Sequence, residues 1–170
     1  MPKMDAPLPA GMDPRAAVSC AALDVGQTRL LGLLQELQPD ELRKVPAGLS
    51  NSIATLAVHV AATEIRMAYR LMGRQVPADV PAELRVDYLM DQPQSPLPEA
   101  RGETAASLRA KAELARGVLK EALAGVGAAD LEREIPLGPD RSATVRWALA
   151  MLPSHQMQHL GQMQMIRKLL

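Results

Sequence analysis

The chain has 170 residues, 48% of them hydrophobic and 22% charged, the make-up of one globular domain with enough apolar surface for a core. Its 19 basic residues are matched by 19 acidic ones, so no cationic excess supports a nucleic-acid or anionic-membrane partner. A single cysteine, Cys20, excludes an internal disulfide, no apolar run approaches the roughly 18 residues of a membrane span, and MPKMDAPLPAGMDP lacks a signal peptide's apolar stretch; a soluble, cytoplasmic protein is expected.

Residues 1–12, rich in Pro and Met, read as a disordered N-terminal tail before a single domain over residues 13–170. In DPRAAV, Asp13 is an N-cap with Pro14 at the first helical position. Leu23, Leu30, Leu34 and Leu37 then recur at helical spacing until Pro39. The link LQPDELRKVPAGLSNS reads as a loop with one turn of helix at most. Ser50, Asn51 or Ser52 caps a second helix carrying Ile53, Leu56, Val60, Met67 and Leu71, with Gly73 as its stop. The proline-rich residues 74–102 predict a long crossover, which lets the next helix run in either direction.

A third helix, TAASLRAKAELARGVLKEAL, turns Leu108, Ala112, Ala115, Leu119 and Ala122 inward and is closed by AGVG. After a short extended piece at Ile135–Leu137, Ser142 is taken as the cap of a last helix reaching the chain end. Pro153 removes a backbone bond in that helix and predicts a kink. The sum is an all-α four-helix bundle with long crossover connections. Val145, Leu149, Leu160 and Met163, placed away from the histidines on the last helix, predict a homodimer. The ten methionines read as filler in a core without Phe, and Cys20 as a small buried residue.

The chain has three histidines, and two of them, His155 and His159, stand four apart in MLPSHQMQHLGQM. At 100° per residue, Thr144, Ala148, Met151, His159, Gln162 and Ile166 fall within about 40° of His155, which puts both rings in the middle of an apolar stripe. Such a pair has its Cβ atoms roughly 5–6 Å apart, close enough for both rings to meet one ion. His59, beside Leu56 and Val60 on the second helix, can reach the same interior. Left unpaired, three buried imidazoles would carry a desolvation cost, so they are candidate metal ligands.

SNSIATLAVHVAATE resembles the second-helix motif of the DinB/YfiT-like superfamily of metal-dependent four-helix bundles. TVRWALAMLPSHQMQHLGQM is similar to that family's last-helix motif, HxxxH followed by Gly-Gln. The resemblance spans nearly the whole chain and implies one divalent ion held by His59, His155 and His159, zinc or nickel in first place with iron or manganese as alternatives. It also implies a metal-dependent enzyme acting on a small molecule, of thiol-transferase or hydrolase type, with a low-molecular-weight thiol as possible cosubstrate. A non-catalytic metal- or ligand-binding bundle, in which the metal is structural, is the alternative.

Gln156 stands where a zincin protease needs the glutamate of HExxH, which excludes that chemistry. Three neutral imidazoles leave an ion an open position, the ligand count of catalytic rather than closed sites. Glu64, just over a turn beyond His59, is the candidate base or supporting partner. Gln162 and Thr63 are candidate pocket-lining residues.

Overall fold

A computed structural model describes residues 7–86 and 97–170; residues 1–6 of the expected tail and 91–96 of DQPQSPLPEARG lie outside these. Asp13 accepts from the Arg15 amide and starts α1 (Pro14–Gln35). One turn, α2 (Pro39–Arg43), interrupts the following link. Of the candidate caps before the next helix, Ser52 is the one used: its hydroxyl takes the Thr55 amide at 3.2 Å and opens α3 (Ile53–Leu71). Gly73, at φ +66°, adopts the left-handed conformation that ends it. The crossover contains α4 (Ala82–Arg85), pinned by fully buried Leu84 and by Lys111 on Glu83 at 2.8 Å. Thr104 caps α5 (Ala105–Ala124).

One expectation near the last helix needs correction. The extended piece is half of an antiparallel hairpin, β1 (Glu134–Gly138) with β2 (Arg141–Thr144), so Ser142 lies in a strand facing Pro136 and bonds Glu134. Thr144, accepting from the Trp147 amide, caps α6 (Val145–Leu169) instead. The pairing escaped notice because β2 is only four residues with no apolar alternation. Helix α6 continues through Pro153. The carbonyl of Leu149 that Pro153 leaves without its helical donor takes a hydrogen bond from the buried Ser19 hydroxyl of α1 at 2.8 Å.

The long helices α1, α3, α5 and α6 form the bundle, α1 against α5 and α6, and α3 against α5 and α6. Their apolar residues divide into two clusters. One joins Leu30, Leu34, Ile53, Leu56, Val60, Leu108, Ala112, Leu160 and Met163; the other joins Ala16, Leu23, Met67, Leu71, Leu119, Leu123, Val145 and Leu152. The first halves of α1 and α6 therefore meet the second halves of α3 and α5, so α1 and α6 run one way and α3 and α5 the other. Parallel neighbours α3 and α5 require a connection that returns along a helix of roughly 28 Å, which is why the crossover is long.

The apolar residues behind the homodimer expectation, Val145, Leu149, Leu160 and Met163, are all buried within the one chain. These four residues are therefore committed to the bundle core rather than to a partner. No described helix is long and apolar enough to cross a membrane.

Gly26 of α1 marks the tightest approach to α6: a methyl group there would fall on the Gln156 side-chain amide, whereas one at exposed Gly117 of α5 meets nothing within 4 Å. Gly26→Ala is expected to lower the unfolding free energy by about 1–3 kcal/mol. Gly117→Ala should raise it by about 0.4–1 kcal/mol. Urea titrations of both variants measure this; equal stability would mean that α1 and α6 are not held this close.

Candidate metal centre

His59 comes from the first half of α3, and His155 and His159 from successive turns of α6. The antiparallel packing of these helices brings all three rings together, with centroids 4.4–4.9 Å apart. His59 Nε2 lies 3.0 Å from His155 Nε2, which in turn lies 3.1 Å from His159 Nε2. Among the described residues this is the one group of histidine, cysteine or carboxylate side chains placed to share an ion.

The two helical residues are not central in a buried stripe. The buried face of α6 is Val145, Ala148, Leu149, Leu152, Gln156, Leu160, Met163 and Ile166, centred about 80° round the helix from His155. His155 and His159 lie on its edge and are half-buried, while Gln162 is exposed. The pattern misleads because Gln156, polar by type, is 3% exposed, whereas Met157 and Met165, apolar by type, face solvent.

Burial lowers the His59 imidazole to about pKa 4, with His159 adding to the effect. It lowers His155 to about 3, with His159 and His59 contributing, and it lowers His159 against the opposing effect of the hydrogen bond that His159 donates to Gln162. All three rings are therefore neutral near pH 7, the form that ligates metal. Their contacts also strain hydrogen bonding, because a neutral ring carries one N–H and His155 Nε2 faces two other Nε2 atoms. It can donate to one of them at most. A cation among the nitrogens would turn these lone-pair contacts into ligation; bonds of 2.0–2.1 Å place neighbouring nitrogens about 3.0–3.4 Å apart. The donor set thus fits a divalent ion.

The remaining candidates are dispersed. Gln162 Oε1 accepts from His159 Nδ1 at 2.7 Å, a contact to a candidate ligand rather than a place in a pocket wall. Thr63 is half-buried one turn beyond His59. Glu64 is not a solvated group: its carboxylate is buried against Arg116 Nη2 at 2.7 Å and lies outside the three-ring group. Burial raises it to about 7, although Arg116 pulls it down; Asp24 adds to the rise.

Sequence reasoning missed what surrounds Glu64. Arg116 Nε donates to Gln27 Oε1 at 2.7 Å. The Gln156 amide is oriented so that no acceptor faces another: its nitrogen donates to the Leu23 carbonyl at 3.0 Å and its oxygen accepts from Arg116 Nη2 at 2.8 Å. Gln27, Glu64, Arg116 and Gln156, one from each long helix, form a polar layer between the two apolar clusters. The signal was there: Gln156 sits four residues from both Leu152 and Leu160, and Arg116 four from Ala112 and three from Leu119.

A family model described as the DinB superfamily matches residues 22–163. A solved structure titled as a conserved protein of a locus from Enterococcus faecalis is similar in fold, with a TM-score of 0.66 and 19% identity over 89% of this chain and 94% of that one. No curated protein matches the chain.

The neutral rings set a pH dependence. Each imidazole takes a proton near pH 6.5 when unfolded but only at lower pH when folded. The unfolded state then binds more protons, so stability contributed by the cluster is present above about pH 6.5 and is lost as pH falls toward 4 and 3. Glu64, raised to about 7, acts with the opposite sign, losing stability as pH rises from its ordinary range, but it is one group against three. With chelator present, wild-type unfolding free energy should fall between pH 7 and 5. His155→Gln should flatten that slope by up to about 1.4 kcal/mol per pH unit. Superimposable pH profiles for the two proteins would contradict the burial of neutral His155.

Proposed function

The chain belongs to the DinB superfamily, and from that footing we propose that it binds one divalent metal ion through His59, His155 and His159 and acts as a metal-dependent enzyme on a small molecule. The observation that carries the reading is the convergence of three neutral imidazole nitrogens, with neighbouring contacts of 3.0 and 3.1 Å, from two helices 96 residues apart in the chain. Zinc or nickel suits an all-imidazole donor set. The half-buried state of His155 and His159 supports an accessible site over a sealed structural one.

The ion's contribution would be to lower the pKa of a bound water or thiol toward neutrality, which supports thiol transfer or hydrolysis with a low-molecular-weight thiol as cosubstrate. The protein's own part is to hold three rings neutral and oriented. Glu64, committed to Arg116, has a structural role in this reading. Cys20, fully buried with its thiol raised by burial, does not serve as the nucleophile. A reducing, cytoplasmic setting accords with that buried free thiol.

Elemental analysis tests the assignment. The wild type is expected to carry about one equivalent of divalent metal, and His155→Ala and His159→Ala to lose it, because water does not replace a chelating ligand without a large loss of affinity. Full metal content in both variants would remove the site. A screen of thiol transfer to small electrophiles, with and without chelator, tests the chemistry.

A bridging ion also stabilises the fold by mass action, by about 3–4 kcal/mol at 100–1,000 times its dissociation constant. Chelation should lower the melting temperature by on the order of 10 °C. His59→Ala should keep its helix content and lose most of that metal-dependent increment. A zinc-induced rise equal to the wild type's would make His59 an ordinary core residue.

A further inference from the structure

Gln162 follows His159 by three residues on α6, so the two side chains are neighbours on the helix surface. The contact between them runs from Gln162 Oε1 to His159 Nδ1 at 2.7 Å. A carbonyl oxygen only accepts hydrogen bonds, so the proton in this contact belongs to Nδ1. A neutral imidazole has a single N–H, and Nε2 of the same ring is then a bare lone pair. That lone pair faces His155 Nε2 at 3.1 Å, in the convergence of the three rings.

We propose that Gln162 is a positioning residue: it locks His159 in the Nδ1–H tautomer and fixes its ring orientation, so that Nε2 is presented for ligation. The tautomer claim stands on the metal-free geometry alone; its consequence for affinity rests on the metal reading above. Without Gln162 the ring is free to carry its proton on Nε2, where it would block ligation, or to turn Nδ1 inward. Ligating histidines depend on such acceptors for tautomer and basicity, and losing one weakens metal binding 10–100-fold. Gln162 is exposed, so water takes over part of its role and the loss should sit at the lower end, about tenfold.

Two readouts on the full-length protein test this. In metal-free protein, nitrogen-15 chemical shifts of labelled histidine should show His159 as the Nδ1–H tautomer in the wild type and as a tautomer mixture in Gln162→Leu. Zinc titration against a chromophoric chelator should show about tenfold weaker binding by Gln162→Leu. Gln162→Glu, which keeps an acceptor at the same reach, should restore wild-type affinity or exceed it. Circular dichroism should be unchanged, since the side chain is on the surface. An Nε2–H tautomer in the wild type, or a Gln162→Leu protein with the wild-type tautomer and wild-type affinity, overturns the proposal. Failure of the wild type itself to bind zinc would defeat the metal reading separately, and the tautomer measurement would still decide the role of Gln162.

Discussion

Arg116 carries a permanent positive charge into the middle of the bundle, with 4% of its surface exposed, and the other helices are arranged around the need to accommodate it. Its acceptors are the Gln27 carbonyl oxygen on α1, the Glu64 carboxylate on α3 and the Gln156 carbonyl oxygen on α6. A buried ion pair is weak evidence of net stability, because desolvation cancels much of the attraction. Its stronger effect is on alternatives. Sliding any one long helix by a turn would leave the guanidinium or one of its acceptors buried without a partner, at several kcal/mol. Hydrophobic contacts, being non-directional, discriminate such registers far less.

That register is what places the histidines. Gln156 is the immediate neighbour of His155, so the residue that answers Arg116 also fixes the turn of α6 carrying the first candidate ligand. Glu64 does the same for α3, five residues beyond His59. Two further contacts press α6 on α1. The Ser19 hydroxyl satisfies the carbonyl freed by Pro153, and Gly26 lets the Gln156 amide lie against the α1 backbone. Pro153, an apparent defect in the helix, thus becomes an additional tie between helices two residues before His155.

The main elements were legible because their signals are local: Asp13 and the run from Ser50 to Ser52 as caps, Gly73 as a stop, and leucines at helical spacing. The three histidines were legible for a different reason, since HxxxH on one helix face needs no knowledge of packing to be noticed. Three things were not. The hairpin rests on pairing between strands too short to show alternation. The placing of His155 and His159 on the edge of the buried face depends on Gln156 being interior, which only Arg116 explains. The role of Glu64 likewise depends on a partner 52 residues away. Polar residues at inward helical positions on all four long helices were the shared clue; reading each helix separately disperses it.

The bundle thus solves two electrostatic problems in opposite ways. In the central layer a charge is buried with its counter-charge and two amide acceptors, which take up Arg116 Nε and Nη2 and leave Nη1 without a partner among the described residues. At the histidine site three neutral bases, one buried and two half-buried, bring their ring nitrogens together with no carboxylate in the group. Imidazoles contribute no charge, so on the proposed reading a divalent ion held by them keeps both of its positive charges. A site of this kind favours an anion at its open position, hydroxide or thiolate, more strongly than one that already includes an aspartate or glutamate. Confining Glu64 to the Arg116 layer therefore does more than balance a buried charge. It keeps the nearest α3 carboxylate from joining the donor set, and so preserves the field that a thiol or water at the site would have to feel to lose its proton near neutral pH.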